Sequence, residues 1–136
     1  MANYEVIRDF FKLPNGEPFG YISRVCADDQ DRVYVFQRKD PPVVVFKSDG
    51  TYLGAWGTGD VKDPHGLKIV GDTVYTTDRS GSVATSFSLD GKRKLELGQR
   101  GVYSDTGHVT SKWLVEKAAG PFNHPTEMIL HPNGDI

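Results

Sequence analysis

A sequence period of 41 residues constrains the fold of this chain more than any other feature. The pairs that carry it are Val33-Tyr34-Val35-Phe36 with Val74-Tyr75-Thr76-Thr77, Phe46 with Phe87, Asp49-Gly50 with Asp90-Gly91, and Gly57 with Gly98. Upstream of these pairs the offset is 42, which gives Val25 and Leu67 matching places. A period of this size indicates one supersecondary unit repeated along the chain, each copy burying an apolar face against its neighbour.

Each copy of the repeat has the pattern of four short strands joined by turns. Residues 32–36 and 43–46 are β-branched and aromatic runs, and a third run, 52–56, follows the Asp49-Gly50 turn. The sequence has no segment with a convincing 3.6-residue apolar period. Repeats of about 40 residues built from four short strands are typical of β-propeller blades, which close into rings of about four to eight. We therefore predict an all-β fold made of propeller blades.

The repeat also predicts how the chain is divided. We predict one partial propeller domain over residues 1–136, with a closing outer strand at about 4–13, complete blades at about 20–60 and 62–101, an insertion loop at 102–122, and the start of a third blade at 123–136. Open blades leave unpaired strand edges and exposed apolar faces. We therefore expect the ring to be completed by a longer chain or by a second polypeptide.

Charge and composition exclude several classes of partner. Sixteen Lys and Arg against eighteen Asp and Glu give a net charge of −2, so the chain lacks the cationic field that binding to nucleic-acid phosphates requires. The single cysteine, Cys26, excludes an internal disulfide framework and is expected in the core. The N-terminal residues have no signal-peptide pattern, and the longest apolar run, 43–46, is far too short to cross a bilayer. We expect a cytoplasmic protein without a nucleic-acid or membrane partner.

The amino-acid sequence of the predicted blades resembles that of a known family. Residues 31–36, 45–57 and 63–69 resemble the NHL repeat, and nearly the whole chain is similar to the N-terminal part of a six-bladed NHL propeller. Within that superfamily, Asp63-Pro64-His65-Gly66-Leu67 and residues 120–127 look like the peptidyl-α-hydroxyglycine α-amidating lyases and their bacterial relatives.

The resemblance implies a metal-dependent lyase that cleaves a C–N bond in a small, carboxylate-bearing carbinolamide at the central funnel of the ring. His65 matches the first of three zinc-binding histidines, and Arg38 matches a catalytic arginine. Val25 and Leu67 match positions whose backbone carbonyls help to hold a structural calcium. The remaining zinc ligands and a catalytic tyrosine are expected beyond Ile136.

The residues themselves leave other interpretations open. His65 is also consistent with a turn histidine bonded to backbone, and Arg38 with a surface arginine paired with Asp40. The same ring is also consistent with a non-catalytic NHL scaffold that binds a protein partner, or with a hydrolase or lactonase, because fold does not fix chemistry. The sequence departs from the lyase pattern at Glu127, where an aspartate is usual, and at Arg79, which follows the retained Asp78.

Overall fold

Two four-stranded antiparallel sheets dominate the structure, a computed structural model that describes residues 3–104, 108–109, 114–115, 120 and 122–135. The first sheet contains β1 (Ile22–Ala27), β2 (Val33–Gln37), β3 (Val43–Phe46) and β4 (Tyr52–Trp56). The second contains β5 (Pro64–Val70), β6 (Thr73–Asp78), β7 (Val83–Ser88) and β8 (Arg93–Leu97). A short ladder joins β9 (His108–Val109) to β10 (Leu114–Val115), and a 3₁₀ turn spans Pro14–Gly16.

These sheets confirm the all-β prediction. In each, neighbouring strands follow chain order, which is the meander expected of a propeller blade. The described residues include no helix long and apolar enough to span a membrane.

The sequence period is also a period in strand register. Val33 pairs with Phe46 in the first sheet, and Val74 pairs with Phe87 in the second. The register irregularity between the third and fourth strands also recurs, at Val45/Phe46 and 41 residues later at Ser86/Phe87. The two sheets are therefore copies of one unit down to their irregularities.

The two sheets pack against each other through an apolar face on each. Tyr34, Phe36, Val43 and Val45 of the first sheet form one buried cluster with Val61, Leu67, Val74 and Phe87. The Trp56 ring lies 5.2 Å from the Phe87 ring and closes the outer end of this cluster. Because side chains alternate between the faces of a strand, this packing leaves a second apolar face on each sheet.

The second face of the first sheet is covered by the N-terminal segment. Val35, Val44 and Phe46 are buried there beneath Phe11, Leu13 and Phe19. The Phe11 and Phe46 rings lie 4.9 Å apart. Residues 4–13, where we expected a closing strand, contain no strand in the structure. The pairing of this segment with a further blade stays a prediction.

We predicted the start of a third blade, the third copy of the repeat, at 123–136. Residues 122–135 contain no strand in the structure, so this stays a prediction. Met128 is 8% exposed and borders the same small cavity as Tyr75 and Ser86, on the second face of the second sheet. The following turn repeats the hydrogen bonds of the first copy. The His131 N–H donates to the Asp135 carbonyl, as the Asp28 N–H donates to that of Arg32.

Three matching positions of the repeat differ in exposure: Val25 and Leu67 on the innermost strands β1 and β5, and Met128 in a segment without a strand. Leu67 and Met128 each lie against the preceding sheet and are 3% and 8% exposed, whereas Val25 at the matching position is 54% exposed. No sheet precedes β1 in the described part of the chain. Val25 therefore lies on a part of the first sheet that the described residues leave uncovered.

Truncation of Phe87 tests the packing between the sheets. Phe87→Ala should lower the free energy of unfolding by about 3–5 kcal/mol, because the residue is fully buried between the sheets and a cavity remains. Denaturant unfolding at neutral pH measures it. Leu53→Ala is the control, since Leu53 is 44% exposed and should change stability by less than about 1 kcal/mol. Equal effects of the two variants would contradict the packing described.

Candidate functional site

An ion pair between Arg38 and Asp63 joins the two sheets at one end. Arg38 follows β2, and Asp63 immediately precedes β5. The Arg38 Nε lies 3.1 Å from Asp63 Oδ1 and 3.4 Å from the carbonyl oxygen of Pro64, the residue before His65. The partner of Arg38 is thus Asp63 rather than Asp40, and the two sequence-predicted residues Arg38 and His65 belong to one neighbourhood.

Asp63 binds a second arginine as well. Its Oδ2 accepts hydrogen bonds from Arg79 Nε at 2.7 Å and from the Ser80 hydroxyl at 2.9 Å. Arg79 follows Arg38 by 41 residues and holds the matching position in the second sheet. One carboxylate therefore receives arginines from two successive units, and the three side chains keep a net positive charge. This accounts for the arginine at position 79.

The surroundings of Asp63 keep it ionised. Burial alone would raise the pKa of this carboxyl group, whose side chain is 13% exposed. The hydrogen bonds from Arg79 and Ser80 and the charges of Arg79 and Arg38 outweigh that effect and hold the pKa below its usual value. Asp63 is thus an anion throughout the neutral range.

The backbone that carries Asp63 is fixed by a buried carboxylate. Asp78, 1% exposed, accepts the N–H groups of Lys62 and Asp63 at 2.9 and 3.1 Å. The matching residue of the first sheet, Gln37, accepts the Gly20 N–H at 2.8 Å in the same way. Each unit therefore holds the segment entering its innermost strand with a buried side chain from the end of its second strand.

A cleft of about 310 Å³ opens beside the Arg38–Asp63 pair. Arg38, Lys39, Asp40 and Lys62 are among its lining residues. Lys39 is neutralised by Glu17 at 2.8 Å. Within the described ranges, Lys62 Nζ has no hydrogen-bond or ion-pair partner, and the terminal nitrogens of Arg38 form no hydrogen bond. The cleft is therefore able to accept a small anion.

His65 presents one ring nitrogen for ligation. Its Nδ1 lies 3.0 Å from the carbonyl oxygen of Thr126 in the third copy. Because a carbonyl only accepts, Nδ1 carries a proton, and in the neutral imidazole Nε2 then keeps its lone pair. Metal-binding histidines usually have this arrangement, in which the second nitrogen is held by a carbonyl or carboxylate. The backbone-bonded interpretation and the ligand interpretation of His65 are thus compatible.

His65 alone does not form a metal centre. Within the part of the chain that the structure describes, no group of three or more His, Cys, Asp or Glu residues is placed to hold a metal ion. A zinc site takes about four donors. Of the described residues, His65 could therefore supply one ligand of a zinc ion, and the other ligands would have to come from elsewhere.

Val25 and Leu67 lie on neighbouring innermost strands, β1 and β5, as expected. The Leu67 carbonyl accepts a hydrogen bond from the Cys26 thiol at 3.1 Å. Burial raises the pKa of Cys26, so the thiol stays protonated and able to donate. Since calcium takes about six to eight oxygen ligands, two carbonyls fit it only as part of a larger set.

The departure at Glu127 has a structural reason. Its carboxylate forms an ion pair with Arg24 of the first unit. In the second copy, the position that matches Arg24 and Glu127 is held by Gly66. A Cβ at Gly66 would lie 2.8 Å from both the Thr126 carbonyl oxygen and Thr77 Oγ1. Because Gly66 has no side chain, the third copy approaches the second closely. The side chain of Glu127, longer than that of aspartate, pairs with Arg24 of the first copy.

The other histidines take no part in the cluster around Asp63. His131 is exposed in the last turn, and His124 is exposed and stacks on Tyr103 with ring centroids 4.9 Å apart. The side chain of His108, and most of the predicted insertion at 102–122, lie outside the described residues.

No known family model matches the chain, and none of the curated proteins matches it. Sequence reasoning identified Arg38 and His65 but missed Asp63, which pairs with Arg38 and precedes His65 by two residues. The available signal was its place in the quoted Asp63-Pro64-His65-Gly66-Leu67 motif.

Loss of the Asp63 charge should destabilise the protein in a pH-dependent way. Asp63→Asn should lower the free energy of unfolding at pH 7 by about 1–3 kcal/mol, through weakened charged hydrogen bonds. The folded-state pKa of Asp63 lies below its unfolded value. Its contribution is therefore complete above about pH 4 and is lost as the pH falls through the folded-state pKa.

Denaturant unfolding at pH 7 and at pH 3 checks this expectation. The difference in the free energy of unfolding between wild type and Asp63→Asn should be smaller at pH 3 than at pH 7. The exposed control Asp29→Asn should differ little from wild type at either pH. A gap independent of pH would contradict the assigned role of the charge.

Proposed function

We propose that this chain supplies part of an NHL-type propeller enzyme of the peptidyl-α-hydroxyglycine α-amidating lyase kind. The reaction breaks the C–N bond of a carbinolamide, the hydroxyl oxygen becomes an aldehyde, and its proton ends on the amide nitrogen. The products are an amide and a glyoxylate-type carboxylate. The observation that carries the proposal is the placement of an arginine with free terminal nitrogens beside the segment that presents His65.

Arg38 is proposed to bind the substrate carboxylate. A guanidinium group matches a carboxylate with two parallel N–H donors, and such pairs are among the strongest hydrogen bonds in proteins. Within the described residues, only the Nε–H of Arg38 makes a hydrogen bond, and Asp63 lies beside the same nitrogen. Arg38 also borders the 310 Å³ cleft. The bound carboxylate would orient the neighbouring carbinol carbon.

His65 is proposed to contribute Nε2 to a zinc site completed by residues of further blades. Zinc would supply a Lewis acid that favours ionisation of the substrate hydroxyl. The Thr126 carbonyl, by accepting from Nδ1, fixes the tautomer and the ring orientation that ligation requires. The carbonyls of Val25 and Leu67 are proposed to be two ligands of a structural calcium ion in the channel.

The proposed enzyme also needs the remaining blades of the ring. The 54% exposure of Val25 supports a further blade at the first sheet, from this polypeptide or from a second one. The substrate is a small molecule, and the proposed compartment is the cytoplasm. The thiol of Cys26, which donates to a carbonyl and forms no disulfide, is compatible with a reducing compartment.

Turnover of a carbinolamide tests the reaction. The protein expressed from its complete reading frame should convert N-acetyl-α-hydroxyglycine to acetamide and glyoxylate, and Arg38→Ala should lower kcat/KM by about 100-fold because charged hydrogen bonds to the carboxylate are lost. Product analysis by NMR measures both. Lys47→Ala, an exposed charge in the turn that follows β3, is the control. Hydrolysis products, or no turnover, would contradict the proposal.

Metal content tests the role of His65. His65→Ala in the same protein should abolish stoichiometric zinc, whereas the exposed control His131→Ala should leave it unchanged. Zinc uptake should also weaken as the pH falls through the histidine pKa, because ligation needs neutral imidazole. Elemental analysis after gel filtration measures both. A metal-free, fully folded wild type would favour the scaffold alternative.

A further inference from the structure

We propose that Asp63 is the positioning residue for Arg38, holding its guanidinium group by Nε so that a ligand carboxylate is received end-on by the two terminal nitrogens. This inference deepens the proposed function and rests on it for the identity of the ligand. The ion pair itself is the geometry that carries it.

The donor geometry of arginine sets the direction of approach. A guanidinium group offers two bidentate edges, one formed by Nε with a terminal nitrogen and one formed by both terminal nitrogens. Within the described residues, the Nε–H of Arg38 donates its hydrogen bond to the Pro64 carbonyl at 3.4 Å, and Asp63 Oδ1 lies 3.1 Å from the same Nε in an ion pair. The edge formed by the terminal nitrogens is left for the ligand.

A single carboxylate facing Arg38 alone would cancel its charge. Arg79 and Ser80 prevent this, because both donate to Asp63 Oδ2 while Arg38 uses Oδ1. The carboxylate is shared between two cations, so the group keeps a net charge of one positive unit. Asp63 can therefore orient Arg38 without removing its attraction for an anion.

Asp63 is itself held rigidly, as a positioning residue must be. Its N–H donates to buried Asp78 at 3.1 Å, and its carbonyl accepts the Arg79 N–H at 3.0 Å. The neighbouring Lys62 lines the same cleft and offers a second cation for the ligand. The cleft, at about 310 Å³, has room for a small carboxylate rather than a macromolecule.

The test uses the protein expressed from its complete reading frame, with N-acetylglycine as the probe. This molecule keeps the amide and carboxylate of the proposed substrate but lacks the reacting hydroxyl. In ¹⁵N-labelled protein, the Arg38 Nε–H signal, assigned by its loss in Arg38→Lys, should be sharp in wild type and exchange-broadened in Asp63→Asn. Calorimetry should show an about 10-fold higher Kd for N-acetylglycine in Asp63→Asn.

Further variants separate positioning from a structural role. Asp63→Glu keeps the charge and moves the carboxylate by one methylene, so the Kd should rise by only about 3-fold. This variant also serves if Asp63→Asn fails to fold. In the Arg38→Ala background, both Asp63 substitutions should leave the Kd unchanged, because their effect acts through Arg38. Asp60→Asn, in the same linker but paired with Arg93, is the control and should bind like wild type.

Three results would overturn the inference. They are an Arg38 Nε–H signal unchanged in Asp63→Asn, an equal loss of affinity in the Arg38→Ala background, and no binding of N-acetylglycine by wild type. Binding that depends on Asp63 through Arg38, in a protein that releases no glyoxylate from the carbinolamide, would keep the inference and end the lyase proposal. The two failures are therefore distinguishable.

Discussion

Each of the two four-stranded sheets has two apolar faces, and both must be removed from water. Between the units this requirement is met by stacking, with Tyr34 and Val45 of the first unit against Leu67 and Phe87 of the second, and Tyr75 of the second beside Met128 of the third. The N-terminal segment covers the second face of the first sheet. Hydrophobic burial of this kind is the dominant favourable term in folding. The stacking also brings the innermost strands side by side at a fixed level, and the candidate site depends on that placement.

Because the units stack in register, residues 41 apart in sequence meet at the same end of neighbouring sheets. Arg38 and Arg79 are such a pair, and Asp63 lies between them in the linker of the second unit. Buried Asp78 fixes that linker through backbone N–H groups. The electrostatic cluster thus follows from blade packing, not from any local sequence motif.

The strands and their repetition could be predicted from sequence because both follow from its patterns: β-branched runs, Asp-Gly turns and the 41-residue offset. The pairing of residues across neighbouring strands was seen only in the structure. The resemblance to the lyase family indicated Arg38 and His65 as candidates for the site, and their roles stay predictions. The Arg38–Asp63 and Arg24–Glu127 pairs join residues 25 and 103 positions apart, and a sequence does not state which charges stacking will bring together.

The units are alike in backbone but not in the residue that leads into the innermost strand. That residue is Tyr21 in the first unit, Asp63 in the second and His124 in the third, although Tyr21 and Asp63 accept the same backbone hydrogen bond from the arginine of their own unit. A tandem array built by duplication offers equivalent junctions, and a chemical site needs one of them to differ. Divergence at this single position confines the carboxylate-bridged arginine pair, within the described residues, to the junction of the first two units.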